Sequence, residues 1–234
     1  MVPDRLAENL AEVRGRIDMA AARSARTADA VRLVAITKYA SSGIAAKLVE
    51  CGCLDLGESR PQELWRKADA LGSAPIRWHL VGHLQRNKID RTLPVVSCIH
   101  SVDSWRLLQA MDSRASALGL QHVPSLLEIN ISGERAKQGL APDEAPRIIA
   151  QAAAMTHVRI QGLMGMAGLY SDRDQVRREF RSLRELRDRL RPECSPRVSM
   201  DELSMGMSAD FELAVEEGAT MVRVGSALFE GVVA

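Results

Sequence analysis

Lys38 is the residue of this chain best placed to form a covalent bond with a small molecule. It directly follows the apolar and hydroxyl residues 33–37, which have the character of a buried strand, so we expect its stem to lie in apolar surroundings. Desolvation lowers the pKa of an ammonium group and yields a neutral amine. Such an amine forms Schiff bases with aldehydes and ketones. The alternative is a lysine whose stem covers the protein rim while its charge stays in water.

Two glycine-containing segments near the end of the chain have the composition of a phosphate site. Gly206-Met207-Ser208 precedes a helical stretch at 209–215, with Ser208 as its predicted N-cap, and Gly225-Ser226 follows another apolar run. Backbone N–H groups at such loops and helix starts bind phosphate. The alternative is a pair of ordinary turn glycines with a structural cap.

Arg223 lies inside an apolar run, between Val222 and Val224. A buried guanidinium needs an acceptor, because burying an unpaired charge is costly. A structural carboxylate is one candidate acceptor. The ring nitrogen of a pyridine cofactor is the other, and Arg223 would then keep that nitrogen unprotonated and weaken the ring as an electron sink. Pyridoxal phosphate combines an aldehyde, a phosphate and a pyridine ring.

The remaining polar residues give weaker signals. His79 and His83 are four residues apart, but Gly82 and a predicted strand prevent them from sharing a helix face, so we predict no metal site. Either imidazole can line a pocket, and Glu58 can line it or cap the following helix. Only five of the basic residues are lysines, and we expect Lys47 and Lys67 to lie on surface helices.

Short apolar runs alternate with helical stretches along most of the chain. After an amphipathic helix at 4–22 there are eight such runs: Val31–Ile36, Leu54–Leu56, Ile76–Val81, Val95–Ile99, Ser125–Ile131, Val158–Met164, Glu202–Met205 and Thr220–Val224. The spacing, about 25 residues per run, suits a strand, a helix and two loops, and therefore a single (β/α)8 TIM barrel. An open doubly wound sheet is the alternative. We expect one α/β domain over residues 1–234, with an extra N-terminal helix within residues 1–25 packed on the barrel.

Composition excludes several classes of protein. The formal net charge of +1 does not indicate a nucleic-acid partner or an anionic membrane surface. No apolar run approaches the length of a membrane span, and residues 1–5 lack the start of a signal peptide. Four irregularly spaced cysteines do not form a disulfide framework, so we expect a cytoplasmic protein.

Several motifs together resemble a known family. Besides Lys38 they are the segments 78–88, 129–134 with Lys137 and Gly139, 162–164, 204–208 and 221–226. The chain is similar to the pyridoxal phosphate homeostasis proteins, which are relatives of the alanine racemase N-terminal barrel. The resemblance implies an internal aldimine on Lys38, Arg223 at the pyridine nitrogen, phosphate contacts from Ser208, Gly225, Ser226 and Met207, and a pocket lined by Ser59, His79 and Met164.

The sequence departs from the family pattern in three places. The proline that is common shortly after the lysine is absent, Ser59 stands where asparagine is frequent, and Ser226 stands where threonine is frequent. The change at Ser59 removes an amide from the expected pocket and puts the fine positioning of the cofactor in question.

The resemblance implies binding more directly than catalysis. Alanine racemase needs a second base, a tyrosine supplied by a separate domain and a partner subunit, and we expect no such domain here. Of the two tyrosines, Tyr39 should alternate away from Lys38 if the strand continues. We therefore expect a largely monomeric cofactor carrier for vitamin B6 homeostasis that limits free aldehyde and serves apo-enzymes. A weak pyridoxal-phosphate-dependent amino-acid racemase is the alternative, and a cofactor-free Schiff-base aldolase is a third.

Overall fold

Eight parallel strands within the described residues close into a barrel, each one paired with the next in chain order and the last with the first. The computed structural model describes residues 2–134 and 138–232. The strands are β1 (Arg32–Ile36), β2 (Asp55–Glu58), β3 (Arg77–Leu80), β4 (Cys98–Val102), β5 (Val123–Ile129), β6 (Val158–Gly165), β7 (Val198–Ser204) and β8 (Met221–Val224). The predicted (β/α)8 barrel is confirmed, and the open-sheet alternative is wrong.

Helices follow the strands and cover the outside of the barrel. The described helices are α1 (Val2–Arg23), α2 (Ser42–Glu50), α3 (Pro61–Leu71), α4 (Ile89–Thr92), α5 (Trp105–Ala117), α6 (Ala145–Ala152), α7 (Arg173–Leu190), α8 (Phe211–Glu216) and α9 (Ser226–Phe229). The main hydrophobic core lies between these helices and the strands. No described helix carries an apolar stretch long enough to cross a membrane.

The N-terminal helix packs where the barrel closes. Leu6, Leu10, Val13 and Ile17 are buried at helical spacing and form one face of α1, which contacts α8 and α9. The Asn9 side chain donates to the carbonyl oxygens of Leu228 (3.0 Å) and Glu230 (2.9 Å) at the end of α9. An amide that satisfies carbonyls at a helix end links α1 to the last element of the barrel.

Two strands begin three or more residues away from their predicted starts. β4 begins at Cys98 rather than Val95, because the N–H groups of Val95 and Val96 both bond to the Thr92 carbonyl in the turn after α4. β7 begins at Val198 rather than Glu202. Its first residues alternate between buried and exposed, a half-buried pattern that a search for continuous apolar runs misses.

The barrel interior differs in character from the outer core. Cys98, Leu126 and Met164 form a small apolar cluster of their own, separate from the main core. Buried polar side chains share the interior with this cluster, among them His79, His100, Ser204 and Arg223. The candidate site lies above this polar interior, at the carboxyl ends of the strands.

Candidate functional site

Lys38 lies at the carboxyl end of the barrel, two residues after β1 ends. Its side chain is exposed, with Nζ 4.9 Å from the centroid of the Tyr39 ring, so the predicted apolar enclosure is wrong. The condition under which Tyr39 would alternate away from Lys38 is not met, because residues 38–40 turn rather than continue the strand. Within the described residues Lys38 has no carboxylate partner. Its amine is therefore accessible and not held by another charge.

A second lysine lies directly beneath this turn. Lys67 of α3 is fully buried, not on the surface as predicted, and its Nζ donates to Glu58 Oε1 and to the Thr37 carbonyl, each at 2.5 Å. The Thr37 hydroxyl donates to the same Glu58 oxygen at 2.5 Å. This buried cluster fixes the backbone of the residue that precedes Lys38. Glu58 is therefore a structural partner of Lys67 rather than a helix cap.

Arg223 is buried in the barrel interior, and its acceptors are neutral. Nη1 donates to Ser204 Oγ at 2.6 Å and Nη2 to the Gly165 carbonyl at 3.0 Å, and no carboxylate of the described residues forms an ion pair with it. Burial lowers the pKa of Arg223 to about 10, against the opposing effect of Asp210 and Glu128. The guanidinium therefore keeps its charge at neutral pH without an adjacent counterion.

The loops after β7 and β8 meet through one hydroxyl. Ser208 Oγ accepts from the N–H groups of Gly225 (3.1 Å) and Ala227 (3.3 Å). The predicted role of Ser208 as N-cap is wrong, because α8 begins only at Phe211. The backbone donors of Gly225 and Ala227 converge on one oxygen, which is the arrangement that an anion needs.

The first of these loops has a backbone shape that requires glycine. Gly206 has φ +89°, and a Cβ there would lie 2.5 Å from Ala214 Cβ. Met207, the next residue, is exposed, and its N–H donates to Asp210 Oδ1 at 2.5 Å. Ser226 is exposed at the start of α9. The structure thus brings Met207, Ser208, Gly225 and Ser226 to one end of the barrel.

The three residues predicted to line the pocket lie at different depths. Ser59 is half-buried just after β2, and its carbonyl packs so closely against Gly82 that a Cβ there would lie 2.2 Å away. His79 and Met164 are buried inside the barrel. His79 lies between His100 and Asp55, bonded to both, so its ring nitrogens are already satisfied.

Sequence reasoning missed a cluster of metal-ligand types in this interior. Ligand atoms of His79, Cys98 and His100 all lie within 4.8 Å of one another. The imidazole nitrogens, however, bond to each other, to Asp55 and to Ser204. Burial raises the pKa of the Cys98 thiol to about 12, which keeps it protonated and a poor metal ligand. The cluster is better explained as a hydrogen-bonded interior than as a metal site.

Glu128 of β5 is a further residue that sequence reasoning did not single out. Its carboxyl is buried and has no hydrogen bond within the described residues. Burial and the neighbouring Asp103 raise its pKa to about 7, although Arg223 opposes this effect. Because Glu128 follows Leu126 by two residues and pairs with Met164, it faces the barrel interior like both of them.

A signal for the missed residues was present in the chain. His100 and Glu128 are polar side chains within the buried strands β4 and β5, and Ser204 is the buried last residue of β7. Polar residues on the inward face of a closed barrel must bond to one another or to a ligand, because little water reaches them. A search inside the predicted runs would have found Glu128 and Ser204, whereas His100 lies one residue past the predicted end of its run at Ile99.

Comparison with known proteins places this architecture in a family. Residues 4–232 match the family model for the alanine racemase N-terminal domain. A pyridoxal phosphate homeostasis protein from Aquifex aeolicus is 37% identical over 223 residues, which cover 95% of this chain and 96% of the relative. This chain belongs to the pyridoxal phosphate homeostasis protein family.

Solved structures of similar proteins have the same fold. A crystal structure of an unknown protein from Bifidobacterium adolescentis has a TM-score of 0.92 and 38% identity, covering 97% of this chain and 96% of that one. PipY from Synechococcus elongatus, solved with pyridoxal phosphate bound, has a TM-score of 0.83 and 32% identity, covering 96% and 99%. Of the motif residues, Lys137 lies outside the described residues.

The side chains of this family member fit the cofactor for which the family is named. An accessible amine at Lys38, a buried cation at Arg223 without a carboxylate partner, and converging backbone donors at Ser208 lie at the same end of one barrel. These three features match an aldehyde, a pyridine nitrogen and a phosphate, respectively.

Proposed function

We propose that this protein binds pyridoxal 5'-phosphate at the carboxyl end of its barrel, holds it as a Schiff base on Lys38, and thereby limits the free aldehyde in vitamin B6 homeostasis. The observation that carries the proposal is the pairing of an exposed, uncompensated Lys38 with a buried, uncompensated Arg223. When bound, the cofactor supplies an electrophilic aldehyde carbon and an electron-withdrawing ring. The Lys38 amine attacks that carbon, and the carbonyl oxygen leaves as water.

The other site residues have binding roles in this proposal. The backbone N–H groups of Gly225 and Ala227, the hydroxyls of Ser208 and Ser226 and the Met207 backbone hold the phosphate. Ser59 lines the pocket, while His79 and Met164 support its floor from inside the barrel.

Arg223 determines whether the site only holds the cofactor or also uses it for catalysis. Its guanidinium faces the ring nitrogen and keeps it unprotonated, because a second positive charge beside a buried cation is unfavourable. A ring without that proton withdraws electrons poorly, so the site holds the cofactor rather than labilising bonds of an attached amino acid. We therefore propose a carrier, not an efficient enzyme.

The wider setting follows from the same proposal. In this proposal the barrel with α1 works as a single domain, as a monomer in the cytoplasm. The exposed Lys38 leaves the covalent link open to attack by another amine, so the cofactor can be released to apo-enzymes.

Glu128 favours weak amino-acid racemase activity as a second candidate function. A buried carboxyl with a pKa of about 7 can accept a proton at neutral pH. It lies in the interior of the same barrel, and the family model that matches the chain is that of a racemase domain. Slow exchange of an amino acid's α-proton would follow, without a dedicated second domain.

Binding and turnover are tested separately. Cofactor-stripped protein titrated with pyridoxal phosphate should gain a saturable absorbance change at one equivalent, and should transfer the cofactor to an apo-enzyme on mixing. Protein that gains no such absorbance would overturn the binding proposal and favour the cofactor-free aldolase. Incubation with amino acids in deuterated water should give no α-deuteration for a pure carrier, whereas deuteration lost in Glu128→Gln would establish the racemase.

A further inference from the structure

A continuous chain of hydrogen bonds crosses the barrel interior and ends on Arg223. Asp55 Oδ1 bonds to His79 Nε2 at 2.9 Å, and His79 Nδ1 bonds to His100 Nε2 at 2.8 Å. His100 Nδ1 bonds to Ser204 Oγ at 2.8 Å, and Ser204 Oγ bonds to Arg223 Nη1 at 2.6 Å. All five side chains are more than nine-tenths buried. We call these five residues the interior relay.

One arrangement of protons satisfies every member of the interior relay. A guanidinium can only donate, so Ser204 Oγ accepts from Arg223 and gives its own hydrogen to His100 Nδ1. His100 then carries its hydrogen on Nε2 and donates to His79 Nδ1. His79 carries its hydrogen on Nε2 and donates to Asp55. Every donor therefore points from Arg223 towards Asp55, and both imidazoles are neutral.

The charges in the barrel support this arrangement. Burial, with His79 and Arg223 nearby, holds the pKa of His100 well below its usual value, so His100 is neutral. Burial tends to raise the pKa of Asp55, but hydrogen bonds from Arg77 and His79 outweigh that effect and hold it well below its usual range. The relay thus runs from the Arg223 cation through neutral groups to the Asp55 carboxylate, which also accepts two hydrogen bonds from Arg77.

Neutral acceptors leave more of the Arg223 guanidinium free than an adjacent carboxylate would. A carboxylate beside Arg223 would accept two N–H groups of the guanidinium at once and neutralise it. Ser204 takes a single N–H instead, and the Gly165 carbonyl takes another. The remaining N–H donors of Arg223 have no acceptor within the described residues, and they stay available for a ligand.

We propose that His79, His100 and Ser204 are positioning residues that orient Arg223 towards the ring nitrogen of the cofactor, with Asp55, itself held by Arg77, anchoring the far end of the relay. This inference rests on the proposed function for the identity of the ligand. The hydrogen bonds of the relay form in the protein without any ligand, so the relay and the proposed function can be tested separately.

The first test uses cofactor-free protein and nitrogen NMR. Both His79 and His100 should give the signals of neutral rings protonated at Nε2, and the Arg223 guanidinium protons should exchange slowly with water. In Ser204→Ala, guanidinium exchange should become about tenfold faster or more, the size expected for loss of one charge-assisted hydrogen bond. A charged His100, or Arg223 exchange that is unchanged in Ser204→Ala, would overturn the relay.

The second test measures the dissociation constant for pyridoxal phosphate by equilibrium dialysis. His100→Phe keeps a ring of similar shape but loses both nitrogens, and it should weaken binding roughly tenfold. His100→Asn keeps an acceptor for the Ser204 hydroxyl and should restore most of that loss, to within about threefold of the parent.

Cys98→Ala is the matched control for His100→Phe. Cys98 is on the same strand and the same inward face, and its Sγ lies within 4.8 Å of relay imidazole nitrogens without a hydrogen bond to them within the described residues. It should change the dissociation constant by less than about twofold. Equal effects of Cys98→Ala and His100→Phe on the dissociation constant would show that His100 acts through packing rather than through its hydrogen bonds, and would overturn the proposal.

Failure of the relay and failure of the proposed function give different results. If the parent protein does not bind pyridoxal phosphate, the proposed function is wrong, and the NMR experiment still decides the relay. If the parent binds but the Phe, Asn and Ala variants bind equally well, the relay proposal is wrong and the proposed function stands.

Discussion

Lys38 and Lys67 both lie next to Thr37, Lys38 as the following residue and Lys67 through a hydrogen bond to the Thr37 carbonyl. The two lysines differ in their burial and in the partners of their amino groups. Lys67 is fully buried, and its three-donor ammonium group is held by Glu58 and the Thr37 carbonyl. Lys38 is exposed, with only the Tyr39 ring beside its amine.

The difference shows that burial alone does not make a lysine a nucleophile. A buried lysine with a carboxylate partner is stabilised as the cation, because the ion pair compensates for the lost hydration. An exposed lysine without a carboxylate partner can reach a ligand. In this barrel the buried lysine holds the backbone in place, and the exposed one next to it is available for chemistry.

The largest expected effect on stability comes from removing the charge of the buried lysine, Lys67. Lys67→Met leaves the Glu58 carboxylate buried without a cation, and it should lower the free energy of unfolding by about 3–5 kcal/mol. Urea denaturation would measure the loss. Lys47→Met on α2, which removes a half-buried lysine without a buried partner, should stay within about 0.5 kcal/mol of the parent.

A double variant sharpens the same prediction. In Glu58→Leu/Lys67→Met neither charge remains, so most of the stability lost in Lys67→Met should return. A double variant as unstable as the single one would show that Lys67 contributes through packing rather than through its charge.

Glu128 is a buried carboxyl without an ion-pair partner among the described residues, so its charge should destabilise the protein where that of Glu58 is balanced by Lys67. The pKa of Glu128 is raised from 4.5 to about 7, so its neutral form is favoured in the folded state. The contribution of the neutral Glu128 carboxyl to the free energy of unfolding is fully present below about pH 4.5 and is lost as the pH rises through about 7. Glu128→Gln should therefore match the parent at about pH 4 and exceed it by about 3 kcal/mol at about pH 8.

Glu50→Gln is the matched control for the pH experiment. Glu50 is exposed on α2, so its replacement should leave the pH dependence of the unfolding free energy unchanged. If Glu128→Gln behaves like Glu50→Gln, the Glu128 carboxyl is better solvated than its burial indicates.

The smallest effect is expected at the ring beside Lys38. Tyr39→Leu removes an exposed contact between the cation and the ring, which contributes about 0.5–1 kcal/mol. The dissociation constant for pyridoxal phosphate should change by less than about fivefold, because the amine itself is untouched. Loss of all binding in Tyr39→Leu, with the fold intact by circular dichroism, would make Tyr39 part of the site rather than a neighbour.

The fold could be predicted from the sequence because its signals are local. Eight apolar runs at regular spacing, separated by helical stretches, indicate parallel strands with crossover helices. The position of Lys38 at a strand end followed from the same pattern. Its exposure did not, because that depends on the turn at 38–40, which ends the alternation of the strand.

The site beneath the strand ends was harder to predict, since its contacts join distant parts of the chain. Lys67 follows Leu64 by three residues and so lies on the buried face of α3, which was a readable signal, but its partner Glu58 is on another element. His100 on β4 bonds to His79 on the neighbouring β3 and to Ser204 on β7, which is not adjacent to β4. Nothing in a single strand indicates which polar residues on the opposite wall will meet it.

The central claim is that Lys38, and not the buried Lys67, carries the cofactor. Protein incubated with pyridoxal phosphate, reduced with borohydride and digested should yield one pyridoxyl-modified peptide by mass spectrometry, with the modification on Lys38. The adduct should be absent from Lys38→Ala. A modification on Lys67, or one that persists unchanged in Lys38→Ala, would contradict the account.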